Sequence, residues 1–455
     1  MRRLTLAILL LLLPGFGLTC GQPSASTLPK IELTYWRVFD DEDAFAPIIK
    51  AYTANHPNIS IRYRKFRYDE YEPALLNALA EDRGPDLFSI PNTWIGKFSN
   101  KLLPAPREVV TLERYIDSGP QGRELIRQRR IPGPTPASVL HDYVDSVATD
   151  VTHGNDVLGL PLGVDTLALF ANTNLLAFAG ISTPAKSWEE LLEHTKKLRI
   201  VGKDGTINQA AVALGTADNI PRSQDILLTL MLQNGVELAD SQGHVTLEKA
   251  PAGSDVQNPP AAEALRFYTD FAAPSKSIYT WNNDLPNALE LFREGRLAYL
   301  LSYSYTAQDL ATTAPKTRFT VNPMPQPQPL IDRNVRVALS NTWIEGVSRK
   351  SQHPNEAWDF LLFLTSPENA SQYLTATKKP AALRAVSSAQ ATDPLLGVFA
   401  PQTLVSRSWY RGTNSAEMER ALQRAITAVV NGTLDPAQAV TRAAQQIELT
   451  LQPNL

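Results

Sequence analysis

Apolar and polar positions change period in a regular way over the first hundred residues. "IELTYW" reads as a strand, "ISIRYRKF" alternates apolar with polar as a half-buried strand does, and "PDLFSI" is a short buried run of strand length. Between them, "FDDEDAFAPIIKAYTANHP" and "YDEYEPALLNALAEDRG" carry helical signals. The acids of the first crowd its opening turn, at the positive end of the macrodipole. In the second, Asp69 and Glu72 stand in capping-box spacing and Gly84 marks the end. The βαβαβ order predicts a parallel sheet with helices on both faces.

The pattern weakens from Leu102 to about Asn155, where a helical excursion is expected; its "RQRR" run, Arg127 to Arg130, reads as a solvated helix face or loop. Regularity returns with two apolar segments in "GLPLGVDTLALFANTNLLAFAG". Helices follow in "SWEELLEHTKKLR", with Ser187 and Glu190 as a capping box, in "IPRSQDILLTLMLQNG" and in "NPPAAEALRFYTDFA". "LPNALELFREG" is helical, "GRLAYLLSYSY" is a strand, and "NPMPQPQPL" is extended. The last helices are "HPNEAWDFLLFLTSP", a segment started by Asn414 with Glu417, and one started by Asp435 with Pro436. No internal repeat is visible.

Composition changes this picture at the N-terminus. "MRRLTLAILLLLLPGFGLTCGQPSAS" has a basic start and an apolar run too short to span a bilayer comfortably, which predicts a signal peptide over 1–19 and a flexible linker over 20–30. Cys20 is the only cysteine, so it forms no disulfide within the chain. Its place after the apolar run points to lipid attachment, although Gly17 and Thr19 depart from the usual lipobox residues. The 455 residues suffice for two lobes with cores of their own. With 43 basic and 46 acidic residues, the chain has no electrostatic signature for nucleic acid. Six scattered histidines show no metal-ligand spacing, the "DDED" run lacks the spacing of a calcium loop, and no glycine-rich phosphate loop is present. No cofactor is therefore expected.

One stretch raises a chemical question. "YTWNND", Tyr279 to Asp284, sets Trp281 in a polar loop before a helix. Trp281 could anchor the helix in the core, or offer a face to a ligand that combines an apolar side with many hydroxyls.

Five segments in order, "IELTYWRVFDDEDAFAPIIKAYTANHPNISI", "GPDLFSIPNTW", "GLPLGVDTLALFANTNLL", "YTWNNDLPNALELFREGRLAYLLSYSY" and "SRKSQHPNEAWDFLLFLTSPENASQYL", resemble the extracellular solute-binding proteins of ABC transporters. The likeness is to the carbohydrate-binding, maltose-binding-protein-like branch. It implies an α/β, two-lobe periplasmic-binding-protein-like fold, each lobe a mainly parallel sheet flanked by helices, with a hinge of three chain crossings. Lobe 1 would take 31–163 and 326–378, and lobe 2 would take 164–325 and 379–455. The resemblance implies a monomer without enzymatic activity that captures a sugar or oligosaccharide by hinge closure. It would deliver this to an ABC permease from the outer face of the cytoplasmic membrane, or from the periplasm if Cys20 carries no lipid.

Ligands in such folds bind beyond the carboxyl ends of strands. Aromatic, amide and charged residues at those junctions are the candidates: Trp36, Asn92, Thr93, Trp94, Asp165, Asn172, Trp281, Asn282, Tyr303, Tyr305, Asn341, Trp343, Trp409 and Arg411. Alternatives stay open: a secreted carbohydrate-active hydrolase, or the same fold holding a peptide or polyamine. The anchor has a direct test. Replacing Cys20 with Ser is expected to move the protein from the membrane fraction to the soluble one; unchanged fractionation and gel mobility would leave simple secretion.

Overall fold

The computed structural model describes residues 28–117, 124–240, 242–249 and 259–451. The signal-peptide segment and Cys20 lie outside the described residues. The chain forms two lobes, each built on one five-stranded sheet with its own apolar core.

The first sheet has the order Ile59–Phe66, Ile31–Val38, Leu87–Pro91, Asn341–Val347, Leu160–Asp165. Its first three strands pair in parallel, joined by the helices Ala46–Asn55 and Tyr68–Ala80. Leu87–Pro91 is buried throughout because it is central, whereas Ile59–Phe66 keeps polar positions exposed because it lies at an edge. Asn341–Val347 runs antiparallel to both its neighbours. The second sheet has the order Ile200–Val201, Ile207–Val212, Leu297–Ser302, Ala168–Asn172, Phe319–Pro323, and only its second pairing is parallel. Both sheets are thus mixed rather than mainly parallel. Strands returning from the other lobe, and a reversal after Asp165, run against the βαβ direction.

The chain passes between cores three times. Val164 belongs to the first core and Leu167 to the second; Leu339 belongs to the second and Ile344 to the first. Val386 is the last residue in the first core, and Phe399 lies in the second. The second passage falls well after position 326, because Met324 and Leu330 pack on the second core and the Gln326 side chain hydrogen-bonds to the Met324 and Val337 carbonyls. The third falls after 379, because Ala381 to Leu383 fill the first core. The passages are laced together. Asn341 pairs with Asp165, the Val164 N–H donates to the Pro380 carbonyl at 3.1 Å, and the Ala382 N–H donates to the Leu162 carbonyl at 3.2 Å.

The expected helical excursion is instead a β-hairpin, Glu108–Ile116 paired with Glu124–Pro132, followed by two short helices. The "RQRR" run sits on its second strand. Arg127 and Arg130 pair across it with Glu113 and Glu108, and Arg129 reaches the buried Asp359 at 2.8 Å. The helix after Phe66 also starts differently from its sequence signal: Glu70, not Glu72, accepts from the Arg67 N–H. Ser187 caps its helix by accepting from the Glu190 N–H, while the Glu190 carboxylate turns to the Lys186 N–H. Among the described residues no helix is long and apolar enough to cross a membrane.

Trp281 belongs to the second core, with 0 % of its surface exposed. Its indole N–H donates to Asn219 Oδ1 at 3.0 Å, and its backbone N–H donates to the Phe271 carbonyl. The polar flanks that suggested a ligand platform serve the loop itself. Asn219 Nδ2 donates to the Asn282 and Leu285 carbonyls, and Asn282 Oδ1 accepts from the Asp284 N–H. Trp281→Ala is therefore expected to lower unfolding free energy by roughly 3–5 kcal/mol, the cost of a large core cavity. Paired thermal and urea melts of the unliganded variant measure this; near-native melting would contradict the core assignment.

Candidate functional site

A cleft of about 770 Å³ lies between the lobes, lined by strand ends and loops of both and floored by the passages at Asp165 and Ser340–Asn341. It lies where the carboxyl ends of Ile31–Val38 and Leu87–Pro91 meet the end of Leu297–Ser302.

Its first-lobe wall is aromatic. Phe39 stacks on Tyr68 with ring centroids 6.0 Å apart and planes at 14°, and meets Trp343 edge-on at 5.3 Å. Below these rings lies an ion network. Asp40 accepts from Lys379 Nζ at 2.6 and 2.8 Å and from the Tyr373 hydroxyl at 2.7 Å, and Arg37 lies 3.4 Å away. Arg37 also pairs with the buried Glu345 at 3.1 Å, and Glu345 accepts from the Tyr35 and Ser89 hydroxyls. Burial pushes the Asp40 carboxyl up, but Arg37 and Lys379 together hold it below the usual carboxylate range.

The second-lobe wall repeats the scheme. Tyr303 and Tyr305 stack at 6.2 Å, and Tyr305 is 51 % exposed. The Tyr303 hydroxyl donates to Asp225 at 2.6 Å, Arg222 pairs with Asp225 at 2.7 Å, and Arg222 reaches Glu419 at 3.3 Å. Every Lys and Arg lining the cleft is therefore engaged by a carboxylate.

Eight of the sequence candidates line the cleft: Asn92, Thr93, Asp165, Tyr303, Tyr305, Asn341, Trp343 and Trp409. Six do not. Trp36 packs on Phe66 at 4.6 Å on the far face of its strand, beneath Arg64. Trp94 is buried against Phe98, and Asn172 caps a helix by accepting from the Asn174 and Leu175 N–H groups. Trp281 and Asn282 build the loop described above. Arg411 pairs at 2.8 Å with Asp150, a fully buried acid of the first lobe that also accepts from Asn92 Nδ2 and the Ser408 hydroxyl. That cluster seals the lobes along one side of the cleft. There Gly96 lies so close to Arg411 that a Cβ would come within 2.0 Å of its carbonyl oxygen.

Residues 39–371 match the family described as bacterial extracellular solute-binding protein. The chain belongs to this family. A relative from Brucella abortus (strain 2308), named as a binding protein, is 20 % identical over 325 residues, covering 70 % of this chain and 68 % of its own. Among solved structures, this solute-binding protein is similar to the cyclic alpha-maltosyl-1,6-maltose binding protein from Arthrobacter globiformis, with a TM-score of 0.72 and 16 % identity over 93 % of this chain and 99 % of that one. It is also similar to a cyclo/maltodextrin-binding protein complexed with maltotetraose, with a TM-score of 0.69 and 17 % identity over 92 % and 97 % of the two chains.

Sequence reasoning about this solute-binding protein missed Arg37, Phe39, Asp40, Tyr68, Arg222, Asp225, Tyr373, Lys379 and Glu419. Asp40 was legible in principle: it stands just past the end of the first strand, but the acidic run around it reads as helix capping. The partners of Asp40 could not be found locally, since Lys379 lies more than three hundred residues away.

Asp165, at the first passage, accepts from the Ser304 N–H at 3.0 Å and the Ser304 hydroxyl at 2.7 Å, which ties the strand end to the second lobe. Burial pushes its carboxyl up to about 6, against the opposing pull of Ser304, the Thr166 N–H and Lys379. The native state thus holds this proton more tightly than the unfolded chain, where an Asp titrates near about 4. The resulting stability is present below that value and is lost as pH rises through about 6. Melting temperatures across pH 4–7 are expected to decline more steeply for the wild type than for Asp165→Asn. Parallel curves for the two proteins would show that Asp165 carries no such linkage.

Proposed function

We propose that this solute-binding protein captures a neutral sugar or oligosaccharide in the cleft between its lobes and presents the closed form to an ABC transporter permease. The observation that carries this reading is the pair of facing aromatic walls, Tyr68 and Trp343 on one lobe and Tyr305 and Trp409 on the other, over a floor whose cations are all paired. A sugar ring has a C–H face that an aromatic ring covers and a rim of hydroxyls that carboxylates and amides satisfy. Asn341, Thr93 and Asp165 stand at the floor to meet that rim, beside Gln308. An anionic ligand would meet no free cation. The solved structures similar to this one include a protein complexed with maltotetraose and one named as a cyclic alpha-maltosyl-1,6-maltose binding protein, which supports the same class.

Closure follows from the three passages. The ligand shifts an open and closed equilibrium by binding the closed form better. In this reading the chain is a monomer that needs no cofactor, Cys20 carries a lipid, and the protein works outside the cytoplasmic membrane. In this reading the function is binding rather than turnover: Asp40, Asp225 and Glu419 are each tied to a cation, and Asp165, whose carboxyl burial raises, is held by the N–H and hydroxyl of Ser304.

A thermal-shift screen of mono- and oligosaccharides, peptides and polyamines tests the class, since a ligand that binds only the folded state raises its melting point. Sugars are expected to shift it and to be recovered unchanged after long incubation. Trp343→Ala and Tyr305→Ala should each cost roughly 2 kcal/mol of binding, about thirtyfold in affinity, and the half-exposed Tyr305 should do so with little change in unliganded melting. A shift by peptides or polyamines alone, or a cleaved sugar, would refute the proposal.

A further inference from the structure

We propose that Phe39 contacts the ligand and sets which sugar faces the cleft accepts, and that Asp40 positions it there against its own backbone preference. This rests on the reading of the cleft as a sugar site.

The backbone at Phe39 is unusual. Its φ is 75°, and the Asp40 N–H donates to the Val38 carbonyl at 3.0 Å. A hydrogen bond from residue i+2 back to residue i, around a centre of positive φ, is the rare and strained form of the γ-turn. A bulky side chain in that region is an outlier, whereas glycine occupies it without penalty. Such strain persists only where the surroundings impose it, and it gathers at ligand sites.

Here the surroundings do impose it. Val38, before the turn, is buried and paired with Phe66 at the end of its strand. Asp40, after it, is fixed by Lys379, Tyr373 and Arg37. With both flanks clamped, the side chain at the centre is thrust into the cleft. Phe39 remains 54 % exposed as a residue while its ring stacks on Tyr68 and meets Trp343. The fold gains little from a strained, half-solvated aromatic at a position that glycine would fill more comfortably. A ligand with an apolar face gains a rigid, preset surface.

Phe39 has no polar atom on its side chain, so it rewards only the ring face that presents C–H groups. A hydroxyl projecting from that face would be stripped of water without a partner. The ligand class indicated is a pyranose unit with one unbroken C–H face, standing on Phe39 while the opposite wall closes over it.

The test uses the purified protein with maltotetraose and mannotriose as probes, read by calorimetry beside unliganded melting curves. Phe39→Ala and Phe39→Gly are each expected to weaken binding at least tenfold. Phe39→Gly should nevertheless melt above Phe39→Ala, because glycine relaxes the turn while both variants lose the ring. Asp40→Asn should weaken binding in the wild-type background and add little to Phe39→Ala, the non-additivity expected when one residue acts through the other. Phe39→Ala binding as well as the wild type overturns the contact. A glycine variant that melts below the alanine one overturns the strain. A full additive loss in the double variant overturns the positioning role. If the wild type binds neither probe nor any other sugar in the screen, the sugar reading falls, and this inference with it; a wild type that binds while Phe39→Ala binds equally removes this inference alone.

Discussion

Asp40 and its partners join parts of the chain that are far apart in sequence. Arg37 and Asp40 come from the end of the first strand, Glu345 from a strand that returns after the first part of the second lobe, and Tyr373 and Lys379 from the segment before the last passage. All meet below the first-lobe wall of the cleft. Buried charges are costly to desolvate, so such a network contributes less to net stability than its short distances suggest. Its consequence is geometric. It fixes where the first strand ends, how the last passage runs beside it, and which side chains are turned toward the ligand space.

The second lobe reaches the same end with different residues. Arg222, in a left-handed conformation at the start of its helix, links Asp225 to Glu419, and Tyr303 hangs from Asp225. Each wall therefore places an exposed aromatic ring above an ion cluster whose cations are all paired with carboxylates. In the proposed function this arrangement suits hinge closure. The lobes can approach without bringing unpaired charges together, and the surfaces left to pair with a ligand are ring faces and polar groups at the floor.

A third cluster lies at the edge of the cleft, with Asn92 and Ser408 on its lining. Asp150 gathers Asn92 from its own lobe with Ser408 and Arg411 from the last segment of the chain. Burial pushes its carboxyl up, against the pull of Arg411 and the hydrogen bonds. It gives Arg411 a role at the seam between lobes, and it explains why an arginine at a strand-to-helix junction near the cleft does not face it.

The sequence by itself determined what depends on neighbours within a turn or two. The period of Ile59–Phe66, the cap at Ser187, the cap at Asn414 and the helices Pro354–Leu364 and Ser415–Val430 were legible because the deciding contacts are local. The family could be recognised because those elements occur in a characteristic order. Tertiary structure decided the rest. Whether "RQRR" lay on a helix or a strand depended on Glu108, Glu113 and Asp359. Trp281 in a polar loop was ambiguous until Asn219, more than sixty residues earlier, took its indole N–H and the carbonyls around it. Asp40 read as a capping acid until Lys379 arrived beside it. A side chain's polarity states that it needs a partner, but only the folded chain determines whether that partner is a backbone group, a distant charge or a ligand.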